Sequence, residues 1–131
     1  MSVEKQIQKV KDAIRKKNAE YAIQILTESI LKHDPDHEEA NNLFFEAVET
    51  KWKGKGKPKA KGFGTMKLGV IATTKRWDSL LHACYAAFPN DPQNAKLLKM
   101  MAQAQMELGH HFAATATCKK WAEIDSDNAV A

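Results

Sequence analysis

The chain has 131 residues, 44% of them hydrophobic, which is enough for one ordinary domain with its own core. No stretch reaches the apolar length of a membrane helix, and Met1-Ser2-Val3-Glu4-Lys5-Gln6 has no apolar signal region behind its first charges. No membrane partner and a cytoplasmic location are therefore expected.

Ile7, Val10, Ala13 and Ile14 recur at three- and four-residue steps, which predicts a helix from Val3 to Lys17 with one buried face. Lys16-Lys17-Asn18 breaks it. Tyr21, Ala22, Ile25, Leu26, Ser29 and Ile30 predict a second helix, ended at Asp34-Pro35 because proline disfavours helical geometry in the residue before it. A third begins after Asp36, the expected N-cap, with Glu38 and Glu39 where the helix dipole favours negative charge. Leu43, Phe44, Ala47 and Val48 form its buried stripe.

Trp77, Leu80, Leu81, Cys84, Ala87 and Phe88 predict a fourth helix, closed by Pro89-Asn90-Asp91-Pro92. On a fifth helix Leu97, Leu98, Met101, Ala102, Gln105 and Leu108 pair with Phe112, Ala113, Ala116, Trp121 and Ile124 of a sixth, across a turn at Leu108-Gly109-His110-His111. Strand-like alternation is confined to Leu68 to Thr73.

The net charge of +4 averages two regions of opposite sign. Nine basic residues and no acidic one lie between Lys51 and Arg76, so 11 basic residues face all 16 acidic ones in the remainder. The basic region opens with an arm carrying Lys51, Trp52, Lys53, Lys55, Lys57, Lys59, Lys61, Phe63 and Lys67 among flexible glycines. Such an arm can follow a polyanion, with lysines on phosphates and Trp52 or Phe63 on bases, or enter a partner's pocket. The same composition suits a solvated loop, and the apolar run from Phe63 to Thr73 permits a lid on the protein's own helices or a hook on a neighbour.

A self-match at a spacing of 34 residues aligns Asp91-Pro92-Gln93-Asn94-Ala95 with Asp125-Ser126-Asp127-Asn128-Ala129, and Cys84 with Cys118. A period of this size means stacked helical hairpins, an architecture that usually binds rather than catalyses. The two cysteines read as buried small side chains rather than a disulfide, and they lack metal-ligand spacing.

The hairpins resemble tetratricopeptide repeats. Leu98, Met101, Ala102, Gly109, Ala114, Trp121 and Asp125 fall on that family's motif positions, as do Ala22, Leu26 and Asp34-Pro35 in the first hairpin and Phe44, Leu80, Cys84, Ala87 and Asp91-Pro92 in the second. The departures are Gln105 and Cys118 in place of aromatics, Trp121 in place of a small residue, and Ser126 in place of the closing proline. The resemblance implies an all-α superhelix forming a single domain over 1–131. Its repeats would span about 3–37, 38–94 and 95–128, with the basic arm inserted at 52–74 in the second.

It further implies that the first helix of each hairpin lines a concave groove. Glu39, Asn42, Glu46 and Glu49 share one face of the third helix by three- and four-residue steps, and Lys96, Lys99, Gln103 and Met106 share the similar face of the fifth. A groove of acids beside lysines suits an extended peptide of mixed charge or a charged helix. The carboxylates are also placed to receive the protein's own lysine arm, in cis or from a neighbour.

His33 and His37 straddle a proline, and His110 and His111 share a turn, so surface histidines are expected rather than metal ligands. No nucleophile or acid–base arrangement surrounds them, and neither a catalytic residue nor a cofactor is assigned. The sequence stops at Asn128-Ala129-Val130-Ala131 without a further polar helix, so Phe112, Trp121 and Val130 are expected to offer an apolar flank to a second copy, unless Trp121 seals the end. The expectation is a non-catalytic protein-interaction or assembly module. The alternatives are a self-assembling subunit, as a dimer, ring or filament, and a nucleic-acid-binding protein acting through the arm.

Overall fold

The computed structural model of the chain describes residues 2–55 and 73–130, with side chains as far as residue 126. All regular structure among them is helical. The chain forms two compact units, Met1–Lys57 and Pro58–Ala131.

The first unit opens with α1 (Val3–Arg15), capped by Ser2, whose Oγ accepts from Lys5 N at 3.3 Å. The helix ends where the sequence breaks. Lys17 takes a positive φ of 62°, and Asn18 N reaches back to Ala13 O at 2.8 Å, which satisfies carbonyls that the helix leaves open.

The second helix, α2 (Ala19–Ile25), runs on without a break through a π-helical stretch (Leu26–Ile30) and a last turn (Leu31–His33). In a regular α-helix Leu31 would lie about 140° around from Leu26, five steps at about 100° each. The wider turn takes in one more residue, and Leu31 N donates to Leu26 O five residues back. Leu26, Ile30 and Leu31 are consequently all buried.

After Asp34-Pro35 comes α3 (Glu38–Trp52). The three helices pack on one another, with Val10, Ala22, Leu26, Phe44 and Val48 at or near full burial between them. Complete burial of one such aliphatic or aromatic side chain contributes about 1.5–3 kcal/mol. Phe44 and Phe45 meet edge to face at 5.3 Å.

Two expectations for this unit change. Tyr21 points outward at 45% exposure, and Ala19 and Ile23 take its place in the core. The cap of α3 is His37 rather than Asp36, its Nδ1 accepting from Ala40 N at 3.1 Å.

The second unit consists of α4 (Trp77–Ala87), a 3-10 turn (Phe88–Asn90), α5 (Ala95–Glu107) and α6 (His111–Val130), with α5 packed against both α4 and α6. Leu80, Phe88, Leu97, Leu98, Met101 and Ile124 are fully buried. Gly109 turns the chain between α5 and α6 at φ +78°, in the left-handed region that glycine enters without strain.

Gln105, where an aromatic would stand in the repeat pattern, lies fully buried among three helices. With its amide oxygen toward Tyr85, it accepts from that hydroxyl at 3.1 Å and its nitrogen donates to Thr117 Oγ1 at 2.7 Å. The opposite orientation keeps only the Tyr85 contact, so the fully paired one is adopted. The polar substitution is thus accommodated by hydrogen bonds rather than by exposure.

The last helix departs from the sequence reading. The repeat resemblance puts the helix-terminating turn at Asp125, yet α6 continues to Val130. Ser126 stands where Pro35 and Pro92 follow their aspartates, and a serine keeps its backbone N–H and leaves the preceding residue free to stay helical. Cys118 is exposed, whereas Cys84 is buried; the buried position on α6 is Thr117, one residue earlier. A single residue rotates the helix face by about 100°, enough to move the second thiol into solvent. Neither cysteine is in a disulfide.

Candidate functional site

Two turns of the chain are built alike. Asp34 and Asp91 each end a helical run with extended backbone, at φ/ψ −137°/77° and −147°/57°, as a following proline requires. In each the residue three positions later closes the turn: His37 N donates to Asp34 O at 3.1 Å and Asn94 N to Asp91 O at 3.2 Å. That residue then caps the next helix, His37 through Nδ1 and Asn94 through Oδ1, which accepts from Lys96 N at 3.0 Å and Leu97 N at 3.4 Å. Asn94 is buried and also donates to Asp91 Oδ2 at 2.9 Å.

From these matched starts α3 and α5 run in step. Ala40 and Leu97, Asn41 and Leu98, Phe44 and Met101, Phe45 and Ala102, Ala47 and Ala104, and Val48 and Gln105 are all buried. Glu39 and Lys96, Asn42 and Lys99, Glu46 and Gln103, and Glu49 and Met106 are all exposed. These are the eight residues that the sequence assigns to partner binding, and in each unit all four stand open along one helix face.

The two faces differ in chemistry. On α3 three carboxylates flank an amide, and Lys11 Nζ holds the Glu39 carboxylate at 2.8 Å, so α1 neutralises one end of the stripe. On α5 neither Lys96 nor Lys99 has a carboxylate within ion-pair reach among the described residues, and Met106 is 64% exposed beyond them. The first face can accept cations and donors; the second can accept anions beside a flexible apolar side chain.

The arm begins later than its composition suggests. Lys51 and Trp52 belong to α3; Lys51 Nζ lies 2.9 Å from Glu20 Oε1 of α2 and 5.9 Å from the Trp52 ring centroid. Lys51 therefore ties α3 to α2 instead of reaching for a polyanion. Lys53 and Lys55 follow in a turn where Gly54 takes φ +83°. Lys57, Lys59, Lys61, Phe63 and Lys67 lie outside the described residues, as does the stretch from Leu68 that alternates like a strand.

At the other proposed contact Phe112 is 56% exposed in the first turn of α6, and Trp121 is half-buried. Val130 is in the last turn of α6, beyond the described side chains. His33 and His111 are exposed, His37 serves as a cap, and His110 Nδ1 is buried without a hydrogen-bond partner. Among the described residues no group of three His, Cys, Asp or Glu side chains is placed to hold a metal ion, and no helix is long and apolar enough to cross a membrane.

Sequence reasoning missed the π-helical stretch and the Tyr85–Gln105–Thr117 contacts. The first left a trace: eight steps separate Leu26 from Asp34, whereas seven separate Cys84 from Asp91. The second left none, because hydrogen bonds between three helices depend on how they pack. No protein-family model, curated protein or solved structure matches the chain.

Proposed function

We propose that the chain is a non-catalytic protein-interaction or assembly module, a short array of helical hairpins related to tetratricopeptide repeats. It recognises protein segments through the open faces of α3 and α5, with the Lys/Gly-rich arm as an additional contact. The observation that carries this reading is the matched exposure of the two faces: helices with equivalent caps and equivalent cores leave the same four positions in solvent. Neither buried core nor helix propensity requires Glu39, Glu46, Lys96 and Lys99 in those places. A row of exposed, mostly charged side chains on a rigid helix is suited to reading the charge of an extended peptide or a partner helix. The two thiols are free, as they would remain in the reducing cytoplasm in which we place the protein.

Binding to an array of twelve-residue peptides of varied charge tests the reading. The intact chain should retain a subset of mixed or complementary charge. Alanine at Glu39, Asn42, Glu46 and Glu49, or at Lys96, Lys99, Gln103 and Met106, should each remove part of that subset. Peptide retention that is the same for both variants and the parent chain would refute the assignment to these faces.

A further inference from the structure

We infer that one end of the first unit is a binding site for single-stranded nucleic acid, with lysines on the phosphates and Tyr21 stacked on a base. The site is separate from the α3 and α5 faces and lies wholly within that unit. The Glu20–Lys51 pair, 2.9 Å apart, sets the start of α2 beside the end of α3. Lys16 and Lys17 form the turn that enters α2, and Lys53 and Lys55 follow the end of α3, so all four lysines gather at this end. Asp34, Asp36, Glu38 and Glu39 lie in and just after the turn at the other end of α2, about 20 Å away at 1.5 Å per residue. Charge is thus segregated along the unit.

The carboxylates at the basic end are engaged. Asp12 accepts from Arg15 and Gln8, Glu20 holds Lys51, and Glu49 one turn back on α3 has a partner of its own. Lys16, Lys17, Lys53 and Lys55 are exposed, and among the described residues none has a carboxylate within ion-pair reach. Helix stability explains only part of this charge. Cations complement the dipole at a helix C-terminus, which accounts for Arg15 and Lys51 in the last turns of α1 and α3. Lys17 is different, because its φ of 62° is a conformation where Gly or Asn is the ordinary occupant and a lysine strains the backbone. Lys53 and Lys55 lie past the last turn of α3. A phosphate chain uses all of these ammonium groups.

Tyr21 indicates which polyanion fits. By sequence it belongs to the apolar stripe of α2, yet it is 45% exposed in the first turn, four residues after Lys17. An exposed aromatic ring beside free lysines is the combination that holds single strands, the ring stacking on bases while the cations follow the backbone.

Fluorescence anisotropy of a labelled oligothymidine of about 20 nucleotides, titrated with the full chain from low to high salt, tests the site. Binding should be micromolar in low salt and weaken as salt rises, each phosphate contact adding about 0.7 to the steepness of the log–log slope. K16A/K17A and K53A/K55A should each make the slope shallower by about 1.4, two contacts apiece. K96A/K99A removes the same charge from the second unit and should leave the slope within about 0.3 of the parent's. Tyr21→Ala should weaken binding at least about fivefold with the slope unchanged. Lys17→Gly should bind more weakly yet melt at a higher temperature, because glycine enters this φ without strain. The other substituted side chains are exposed, so far-UV circular dichroism should match the parent's.

The site is overturned if oligothymidine is not bound in low salt, if K96A/K99A changes the slope as much as the other two pairs, or if Tyr21→Ala binds like the parent. Competition by polyglutamate as effective as that by oligothymidine also overturns it, as does a Lys17→Gly chain that keeps full affinity.

Discussion

Deleting Ser29 should leave the protein folded, although it removes a residue from the middle of a helix. In a regular helix, removing one residue rotates everything beyond it by about 100° and exchanges buried for exposed positions. The π-helical stretch already contains one residue more than a regular helix needs to bring Leu26 and Leu31 to the same face. Without Ser29, Ile30 and Leu31 stand three and four steps from Leu26, on the same face of an ordinary α-helix. Glu28 also keeps its four-residue step from Gln24, whose Nε2 donates to it at 3.2 Å.

No core side chain is displaced, and bonds to the fifth residue back are replaced by bonds to the fourth. The net change should be within about 1.5 kcal/mol of zero. Deleting Ala83 from α4 is the control. It turns Cys84, Tyr85 and Phe88, all buried, away from their partners. At about 1.5–3 kcal/mol for each large side chain brought into water, this approaches the whole stability of a small domain. Urea unfolding followed by circular dichroism at 222 nm compares the two. A Ser29 deletion as damaging as the Ala83 deletion would refute the reasoning that the wide turn stores one surplus residue.

Burial of Cys84 pushes its thiol from 9.0 up to about 12, so at pH 8 its thiolate is on the order of one molecule in ten thousand. A disulfide reagent such as DTNB should titrate one thiol in the native protein, the exposed Cys118, and two after denaturation; two fast thiols in the native state would contradict the burial. The folded-state value lies above the unfolded one, so this group's contribution to stability is complete below pH 9 and is lost as the pH rises toward 12. Asn94→Ala removes a cap and one hydrogen bond to buried Asp91, and should cost about 2 kcal/mol, more than the roughly 1 kcal/mol expected for His37→Ala. Equal losses in urea unfolding would show that the Asp91 contact adds nothing. Gln105→Leu should cost about 1–3 kcal/mol by removing the buried amide that pairs with Tyr85 and Thr117. A double-mutant cycle with Tyr85→Phe should show coupling above about 0.5 kcal/mol, and strict additivity would mean the hydroxyl and amide do not interact.

Much of the helical framework was legible in local sequence. Pro35 and Pro92 set the turns before α3 and α5 because a proline restricts its predecessor wherever it occurs, and Gly109 marked the turn after α5 for the equally local reason that it tolerates positive φ. The exposed stripes were legible too, since three- and four-residue steps fix which residues share a helix face. The 34-residue match misled where it equated Asp125 with Asp91. Similar letters without the proline carry no instruction to stop, and α6 continues.

The sequence by itself thus determined the helical character of the described residues, most helix starts and stops, and the opposite charges of the α3 and α5 faces. All of these follow from backbone restrictions and helix periodicity acting over a few residues. Only the tertiary structure decided the rest. It buried Thr117 and left Cys118 in solvent, paired Gln105 with Tyr85 and Thr117, tied Lys51 to Glu20, and widened α2 so that Leu26 and Leu31 face the same core. Each of those outcomes depends on which side chains a neighbouring helix presents at that height, and a one-residue change of phase is enough to reverse it.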